Sequence, residues 1–365
     1  LGALSIGGLE ELSTIRFIAW VFFVHNCFAS LQDVATDALA VDLLEDDERG
    51  RVNGMMWASK LVGIGAGGAV LGKVIAVWGL PAAVLLQALG VMAILLVVLS
   101  IRERAGERLF PWTTGSVQAT GLHAVDLGVL GVGREMVRAL WLRTTFFAVL
   151  VAIAAPACEG LYIPLTTELF VQDFGWGAER FSEAQGTLGI LGELVGALLG
   201  GFLCDRLGRR RMAAAGMVFT AGVLAAFGAT SPWWSESWFP VVAVLPLFKG
   251  GYAFLTVCLF SLFMKISWTA AAACQFTLYM AMSNVGFVLG SGLNRLNSWI
   301  QIWTDAGFSY LGGVELATHH FYYVAAVLAL LPLVFMPLVK PADVERRKKT
   351  EGLVDIDPSS RAPEG

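Results

Sequence analysis

The chain has 365 residues, of which 56% are hydrophobic and only 15% charged, and its mean hydropathy is +0.69. Soluble domains carry about 25% charged residues, so this composition excludes an ordinary water-soluble domain. The formal net charge of −4 says little, because the distribution of basic residues matters more than their sum, and no nucleic acid partner is predicted. Apolar runs long enough to cross a lipid bilayer recur along the chain, which predicts an all-α membrane protein.

Nine membrane-spanning helices are predicted. In chain order, their approximate bounds are 14–43, 52–78, 81–101, 144–171, 185–204, 212–230, 239–264, 270–293 and 319–339. The first is longer than a hydrocarbon core of about 30 Å requires. We therefore expect its end, from residue 37 to residue 44, to project from the membrane or the helix to tilt.

The intervals between the spans divide the chain into four regions. Residues 1–101 contain three spans, and residues 144–339 contain a bundle of six. Between them, residues 102–143 are predicted to form a cytoplasmic linker with an amphipathic helix over 125–142 at the membrane surface. Residues 340–365 are charged and then rich in Pro and Ser, which predicts a disordered tail.

Basic residues are concentrated on one side of the predicted bundle. If successive spans alternate in direction, the opposite side receives only Arg16, Arg180 and Arg295. Lys and Arg are retained on the cytoplasmic face of multi-pass membrane proteins. We therefore expect the carboxyl end to be cytoplasmic and the amino end of the first span to lie outside.

Residues 63–68, GIGAGG, satisfy the G-x-G-x-x-G pattern of dinucleotide-binding folds. That pattern binds a cofactor between a strand and the start of a helix, whereas here it lies inside an apolar span. We interpret the glycines as a face for close helix packing. His319 and His320 have no Cys or Asp partner at metal-binding spacing, so neither a cofactor nor a metal site is predicted.

The turn between the fifth and sixth predicted spans reads GFLCDRLGRRR over residues 201–211. Retention of positive charge on one face explains its arginines but not its ordered Gly and Asp residues. The turn resembles the loop signature of the major facilitator superfamily, whose members are helical transporters. The resemblance implies that the turn latches neighbouring helix ends at the cytoplasmic face and stabilises one state of an alternating-access cycle. The implied gating residues are Gly201, Asp205, Arg206, Gly208, Arg209 and Arg210, with Glu48 and Arg49 acting similarly at another turn.

A second block, QDVATDALAVDLL over residues 32–44, resembles the branch that contains the muropeptide permease (AmpG) and acetyl-coenzyme A transporters. Members of the superfamily have twelve spans in two halves of six, separated by a long cytoplasmic loop. Only three spans precede such a loop here. The resemblance therefore implies that the nine spans correspond to the fourth through twelfth, and that the cargo is a muropeptide-like or other anionic compound.

Charged side chains near the bilayer centre cost about 2.5–3.5 kcal/mol each, so each one needs a cavity, a partner or a function. Asp33 and Asp37 are four residues apart and share a helix face, which the resemblance implies lines the central cavity. Two such acids are a typical arrangement for carrying a proton. Alternatively, they lie near the cytoplasmic end of the first span and extend into water.

Glu159 lies in the middle of the fourth predicted span, beside Pro156 and Gly160. Residues that interrupt a spanning helix mark binding sites in transporters, so we predict that Glu159 couples a proton or contacts substrate. The alternative is a structural carboxylate bonded to a neighbouring helix. Lys249 could neutralise a carboxylate or hold an anionic substrate, and the sequence leaves both possibilities open.

Four further residues complete the candidate proton-coupling and substrate cavity. They are Glu193, Tyr252, Gln275 and Asn284. Glu193 lies within a span like Lys249, and Tyr252 follows Lys249 closely. Amides within the membrane also join helices to one another, which is the alternative for Gln275 and Asn284.

Together with these observations, the resemblance implies a monomeric secondary transporter in the inner membrane of a bacterium. It would move a small solute by alternating access of two helical bundles, with proton symport as the driving force. A membrane-embedded acyltransferase would need a His, Cys or Ser nucleophile near a membrane face, and no such constellation is visible, so no enzyme is predicted. A receptor or scaffold that kept the fold and lost transport is the remaining alternative.

Overall fold

The computed structural model describes residues 9–45, 47–101, 112–114, 129–234, 238–268, 272–296, 299 and 316–350. Every regular element in these ranges is helical, which confirms the predicted all-α fold class. The α-helices are α1 (Leu9–Leu43), α2 (Arg49–Ser100), α3 (Val129–Leu140), α4 (Arg143–Ala154), α5 (Ala157–Glu168), α6 (Gly177–Ala184), α7 (Ile190–Leu207), α8 (Arg209–Ala229), α9 (Trp238–Ile266), α10 (Ala272–Gly292), α11 (Thr318–Leu330) and α12 (Pro341–Thr350). Two π-helical turns, Leu169–Asp173 and Gln185–Gly189, follow α5 and precede α7.

Eight helical stretches in the described ranges are long and apolar enough to cross a membrane. Their bounds are Ile15–Val41, Arg49–Ser100, Arg143–Asp173, Glu179–Leu207, Arg209–Ala229, Val242–Ile266, Ala272–Arg295 and Thr318–Leu338. The number differs from the predicted nine because the second and third predicted spans are joined in α2.

The length of α2 and its interruption explain this difference. A straight helix of 52 residues would extend about 78 Å, more than twice the thickness of the hydrocarbon core. At Gly79 the backbone leaves the helical conformation, with φ 79° and ψ 172°, and Pro81 follows. A positive φ favours glycine, and this break lies where the two predicted spans meet.

The buried core lies in the six spans that follow residue 143. Helices α5, α9, α10 and α11 contribute large side chains that are fully buried, among them Tyr162, Phe248, Tyr279 and Tyr322. Helix α1 packs against α10, and α2 packs against α7 and α9. Most apolar side chains of α1 and α2 are exposed among the described residues.

Two predictions outside the spans are refined by the structure. The amphipathic helix predicted over 125–142 corresponds to α3, while residues 102–111 and 115–128 lie outside the described ranges. The tail predicted to be disordered begins with α12, and residues 351–365 are not described. Pro341 suits the first turn of a helix, Asp343 complements its amino end, and Val344 is buried, which explains why α12 forms.

The G-x-G-x-x-G stretch lies inside α2, as its apolar surroundings predict. The interpretation of its glycines as a packing face is not supported. A Cβ at Gly63, Gly67, Gly68 or Gly72 would meet no atom of the described residues within 4 Å.

Candidate functional site

Three charged side chains from three helices meet inside the bundle. The Nζ atom of Lys249 in α9 lies 3.0 Å from Oε1 of Glu193 in α7 and 3.4 Å from Oε1 of Glu159 in α5. These side chains are only 13–17% exposed. Tyr252, one turn after Lys249, lines the same cavity as Glu159. The structure thus brings together Glu159, Glu193 and Lys249, called the charged triad below, with Tyr252 beside them.

Local backbone features place the two carboxylates of the charged triad. Ala155 and Pro156 form a turn between α4 and α5, so that Glu159 lies in the first turn of α5. Glu193 lies in the first turn of α7, directly after a π-helical turn. Both carboxylates thus lie directly after an irregularity within a continuous helical span.

Close packing of α7 against α9 brings Glu193 within reach of Lys249. The two backbones approach so closely at Gly196 that a Cβ there would collide with the carbonyl oxygen of Gly250. Small residues at such positions allow membrane helices to pack with their backbones in contact. A larger side chain at residue 196 would separate the two helices that carry the triad.

A cavity of about 150 Å³ adjoins the charged triad. Trp57 of α2 forms one wall, and the other walls come from the α4–α5 turn, α5, α9 and α10. Its aromatic lining residues are Trp57, Tyr252, Phe260, Phe263 and Phe287, and its polar ones are Glu159, Thr256, Ser283 and Asn284. Of the described residues that line it, Glu159 alone is charged. Lys249 and Glu193 do not line it.

Asp205 joins α7 to α2 at one end of the bundle. The basic residues at this end, called the basic face below, are Arg49, Arg51, Arg206, Arg209, Arg210, Arg211 and Lys265. The Asp205 carboxylate accepts hydrogen bonds from the backbone N–H groups of Gly50, at 2.9 Å, and Arg51, at 2.8 Å. N–H groups in the first turn of a helix have no partner within the helix, so Asp205 caps α2 from another span. The Arg51 and Arg209 side chains lie 3.7 Å from its oxygens, and Asp205 is only 6% exposed.

Glycines permit the close approach of α2 and α7 at this contact. A Cβ at Gly201 would lie 2.6 Å from the carbonyl oxygen of Gly50, and a Cβ at Gly54 would lie 2.8 Å from that of Ala197. Both distances are too short for a carbon atom beside an oxygen atom. The predicted gating residue Gly201 therefore allows Asp205 to reach the start of α2.

The other predicted residues of the 201–211 turn are placed differently. Gly208, with φ 96° and ψ 125°, forms the turn between α7 and α8, and a positive φ favours glycine. Arg209 pairs with Asp205, as described above. Arg206 stacks over the Phe202 ring with its guanidinium carbon 3.9 Å from the ring centre, and Arg210 is exposed.

Arg49 makes a second link at the basic face. Its Nη1 atom donates to the carbonyl oxygen of Met264 in α9 at 3.4 Å, and its Nε atom donates to that of Leu44 at 3.2 Å. Glu48 precedes α2 and accepts a hydrogen bond from the N–H group of Glu45 at 3.3 Å. Arg49 therefore bridges two spans, whereas the bond made by Glu48 lies within its own turn.

Asp33 and Asp37 lie on α1 and do not line the 150 Å³ cavity. Asp33 is exposed, while Asp37 is half-buried and within electrostatic range of Lys60 in α2. The structure does not bring this pair together with Glu159. Their role in carrying a proton stays a prediction.

Gln275 is fully buried, but it lies in a hydrogen-bond network away from the cavity. Its amide oxygen accepts the N–H group of Trp268 at 3.0 Å. Its amide nitrogen donates to the Tyr279 hydroxyl at 3.0 Å and to the carbonyl oxygen of Ile266 at 3.3 Å. The network ties the end of α9 to α10, which favours the alternative of an amide that joins helices, while a cavity role for Gln275 stays a prediction. Asn284, by contrast, lines the cavity.

Replacement of Gln275 by Leu should lower the free energy of unfolding by about 1–3 kcal/mol, because buried backbone groups at the end of α9 lose their partner. Thermal unfolding in detergent measures the effect. Thr277→Val on the same helix is the matched control, since the Thr277 hydroxyl bonds to the backbone of its own helix. Unchanged stability together with lost transport would instead support a role for Gln275 in the substrate cavity.

Sequence reasoning missed three residues that build these contacts. The backbone N–H groups of Gly50 and Arg51 donate to Asp205. The available signal was the start of α2 directly after Glu48, because N–H groups in the first turn of a helix need partners from outside the helix. Trp57 resembles any apolar residue of a span in the sequence. In the structure its indole Nε1 is buried and has no hydrogen-bond partner among the described residues.

A larger opening, of about 1090 Å³, lies further along α2 from the basic face. Ile64, Gly65 and Gly68 of α2 line one side, and Trp176, Arg180 and Ile190 lie among the residues of the other side. The Arg180 guanidinium stacks over the Trp176 ring, 4.3 Å from its centre. Helix α2 still approaches α7 beside this opening, because a Cβ at Gly65 would lie 3.5 Å from Cδ1 of Ile190.

Comparison with known proteins supports the resemblance carried by the 201–211 turn. The sequence model of the Major Facilitator Superfamily matches residues 1–291. The matched region contains the charged triad and the Asp205 contact. No curated protein matches the chain.

Proposed function

Because the chain belongs to the major facilitator superfamily of secondary transporters, we propose that it moves a small solute across a lipid bilayer by alternating access, coupled to protons. The observation that carries this proposal is the charged triad beside a cavity whose walls come from both α2 and the six-span bundle. Charged groups inside a bilayer are costly and mark functional sites.

Alternating access requires a path that is open on one side while the other side is closed. At the basic face, Asp205 and Arg49 tie α2 to α7 and α9. Further along α2, the 1090 Å³ opening separates α2 from the segment around α6. The contacts of Asp205 and Arg49 support the role that the resemblance assigns to the turn, which is to latch helix ends at the basic face.

Glu159 is the carboxylate best placed to carry the proton. It lines the cavity, whereas Glu193 and Lys249 lie beyond it and form the shorter of the two ion pairs, 3.0 Å against 3.4 Å. When Lys249 pairs with Glu193, a proton can neutralise Glu159. Glu159 can therefore exchange a proton with the cavity while the other two charges compensate each other.

The resemblance to the muropeptide permease branch implies an anionic cargo, proton symport, a monomer and a bacterial inner membrane, and these finer points stay predictions. Retention of basic residues on the inside supports a cytoplasmic basic face and carboxyl end. The cavity chemistry does not favour an anionic cargo, because Lys249 already lies between two carboxylates and does not line the described cavity.

The test of this function is proton movement in proteoliposomes that contain a pH-sensitive dye and receive a panel of amines, carboxylates and sugar-peptides. Wild-type protein should move protons only when a transported solute is present, and Glu159→Gln should reduce this movement to the level of empty liposomes. Glu168→Gln is the matched control, because Glu168 is an exposed acid on the same helix.

Full pH dependence in Glu159→Gln would eliminate the proton role of this residue. If no member of the panel crosses the membrane with the wild-type protein, the receptor or scaffold alternative gains support. Chemical conversion of a solute would instead indicate an enzyme.

A further inference from the structure

The cavity beside Glu159 has the chemistry of a binding site for an organic cation. Of the described residues that line it, Glu159 is the only charged one. Aromatic rings from α2, α9 and α10 surround it, and the faces of such rings attract ammonium groups. Building on the proposed transport function, we propose that this cavity selects a small monovalent organic cation, which exchanges with a proton at Glu159.

The charge balance of the triad leaves room for one added positive charge. Lys249 contributes one positive charge and the two glutamates contribute two negative ones, so the ionised triad carries a net charge of −1. An uncompensated charge inside a bilayer is costly. Either a proton or a bound cation must therefore balance the second carboxylate.

The geometry of the triad indicates that the balancing proton or cation binds on the cavity side, at Glu159. Lys249 lies closer to Glu193 than to Glu159, at 3.0 Å against 3.4 Å, and neither Lys249 nor Glu193 lines the cavity. Glu159 is therefore the carboxylate that a ligand in the cavity can reach. Oxygen atoms of Thr256, Ser283 and Asn284 can accept the remaining N–H groups of an ammonium ligand.

The size of the cavity limits the ligand. Its volume of about 150 Å³ is close to that of an engineered cavity that holds one benzene molecule. A primary ammonium group on a single ring or on a short alkyl chain fits this space. A muropeptide or a coenzyme A thioester would require a much larger opening.

Exchange follows because one carboxylate serves both the proton and the cation. Glu159 can hold either of them at a given time, so binding of the cation releases the proton. The polar and titratable groups that face Glu159 or share its surroundings are Cys158 and Tyr162 on α5, Glu193 on α7, Lys249 and Tyr252 on α9, Ser283 and Asn284 on α10, and Trp57 on α2. Of these, Glu159 and Glu193 are the carboxylates, and the single positive charge of Lys249 pairs with both, so one negative charge stays uncompensated.

The test titrates the purified full chain in detergent with benzylammonium, benzyl alcohol and benzoate. These probes have similar shapes and carry a positive, zero and negative charge. Benzylammonium should bind at least about tenfold more tightly than benzyl alcohol, as expected for a carboxylate and aromatic rings acting together. Benzoate should not bind. Calorimetry in two buffers with different heats of ionisation should show that one proton is released for each benzylammonium bound.

Two variants locate the site. Glu159→Gln should remove the preference for benzylammonium over benzyl alcohol and also the proton release. Glu168→Gln, an exposed acid on the same helix, should retain both. The comparison of the three probes on wild-type protein needs no variant, so it decides the question even if Glu159→Gln does not fold.

Equal binding of benzylammonium and benzyl alcohol, a preference for benzoate, or no binding of any probe would overturn the cation site. Benzylammonium binding without proton release would overturn the exchange. If another solute still moved protons in proteoliposomes, the proposed transport function would survive either result. If benzylammonium bound as expected but no solute crossed the membrane, the site would stand and the transport function would fail.

Discussion

Replacement of Lys249 by Met is expected to destabilise the protein by about 3–5 kcal/mol, the usual cost of removing one partner from a buried ion pair, and to abolish transport. The Lys249 side chain is only 13% exposed and lies between Glu159 and Glu193. Without it, two carboxylates would share a site that water barely reaches. They would repel each other unless protons neutralised them.

Thermal unfolding in detergent and the proteoliposome assay measure the two effects. The double variant Lys249→Met with Glu193→Gln is the matched control, because it restores the charge balance while keeping Glu159. We expect it to regain most of the lost stability. If the double variant were as unstable as Lys249→Met, packing around the lysine stem rather than charge would explain the loss.

Replacement of Asp205 by Asn should weaken closure at the basic face by about 2–4 kcal/mol, as expected when charge-assisted hydrogen bonds become neutral ones. Asp205 accepts two backbone N–H groups of α2 and pairs with Arg51 and Arg209. An amide can accept hydrogen bonds but provides no negative charge for the arginines. We therefore expect the protein to shift towards a state that is open at the basic face.

Spin labels or reactive cysteines on α2 and α7 near the basic face measure this shift. Arg210→Gln, in the same turn but exposed, is the control that should leave the distances unchanged. Gly54→Leu should open the same face by a different route, because its side chain would enter the space occupied by the backbone of α7. Unchanged distances in both Asp205→Asn and Gly54→Leu would refute the latch.

The sequence placed most of the helices, because a bilayer forces spanning segments to be long, apolar and helical. It also indicated a discontinuity between the second and third predicted spans, although the structure joins them in α2 with a break at Gly79. The charged tail was harder to predict. Whether α12 forms depends partly on burial of Val344 against the bundle, which composition does not show.

The sequence indicated some residues of the candidate site, but it did not show which partner each of them contacts. Glu159 and Lys249 stood out because a charge within an apolar run is costly, and the structure joins them. Gln275 stood out for the same reason, yet its neighbours are backbone groups and hydroxyls of α9 and α10. A polar residue in a span must find a partner, but the sequence does not say whether that partner is a helix or a ligand.

The sequence by itself determined the fold class, the helical spans, the basic face and the charged residues within the spans, whose burial in a membrane is costly. These properties depend on local composition and on the cost of transferring each residue from water to lipid. Only the tertiary structure decided which charges pair, that Trp57 closes the cavity, and that Asp205 caps a helix through backbone atoms. Those contacts join residues far apart in the chain, and their geometry depends on how closely glycines let the helices approach.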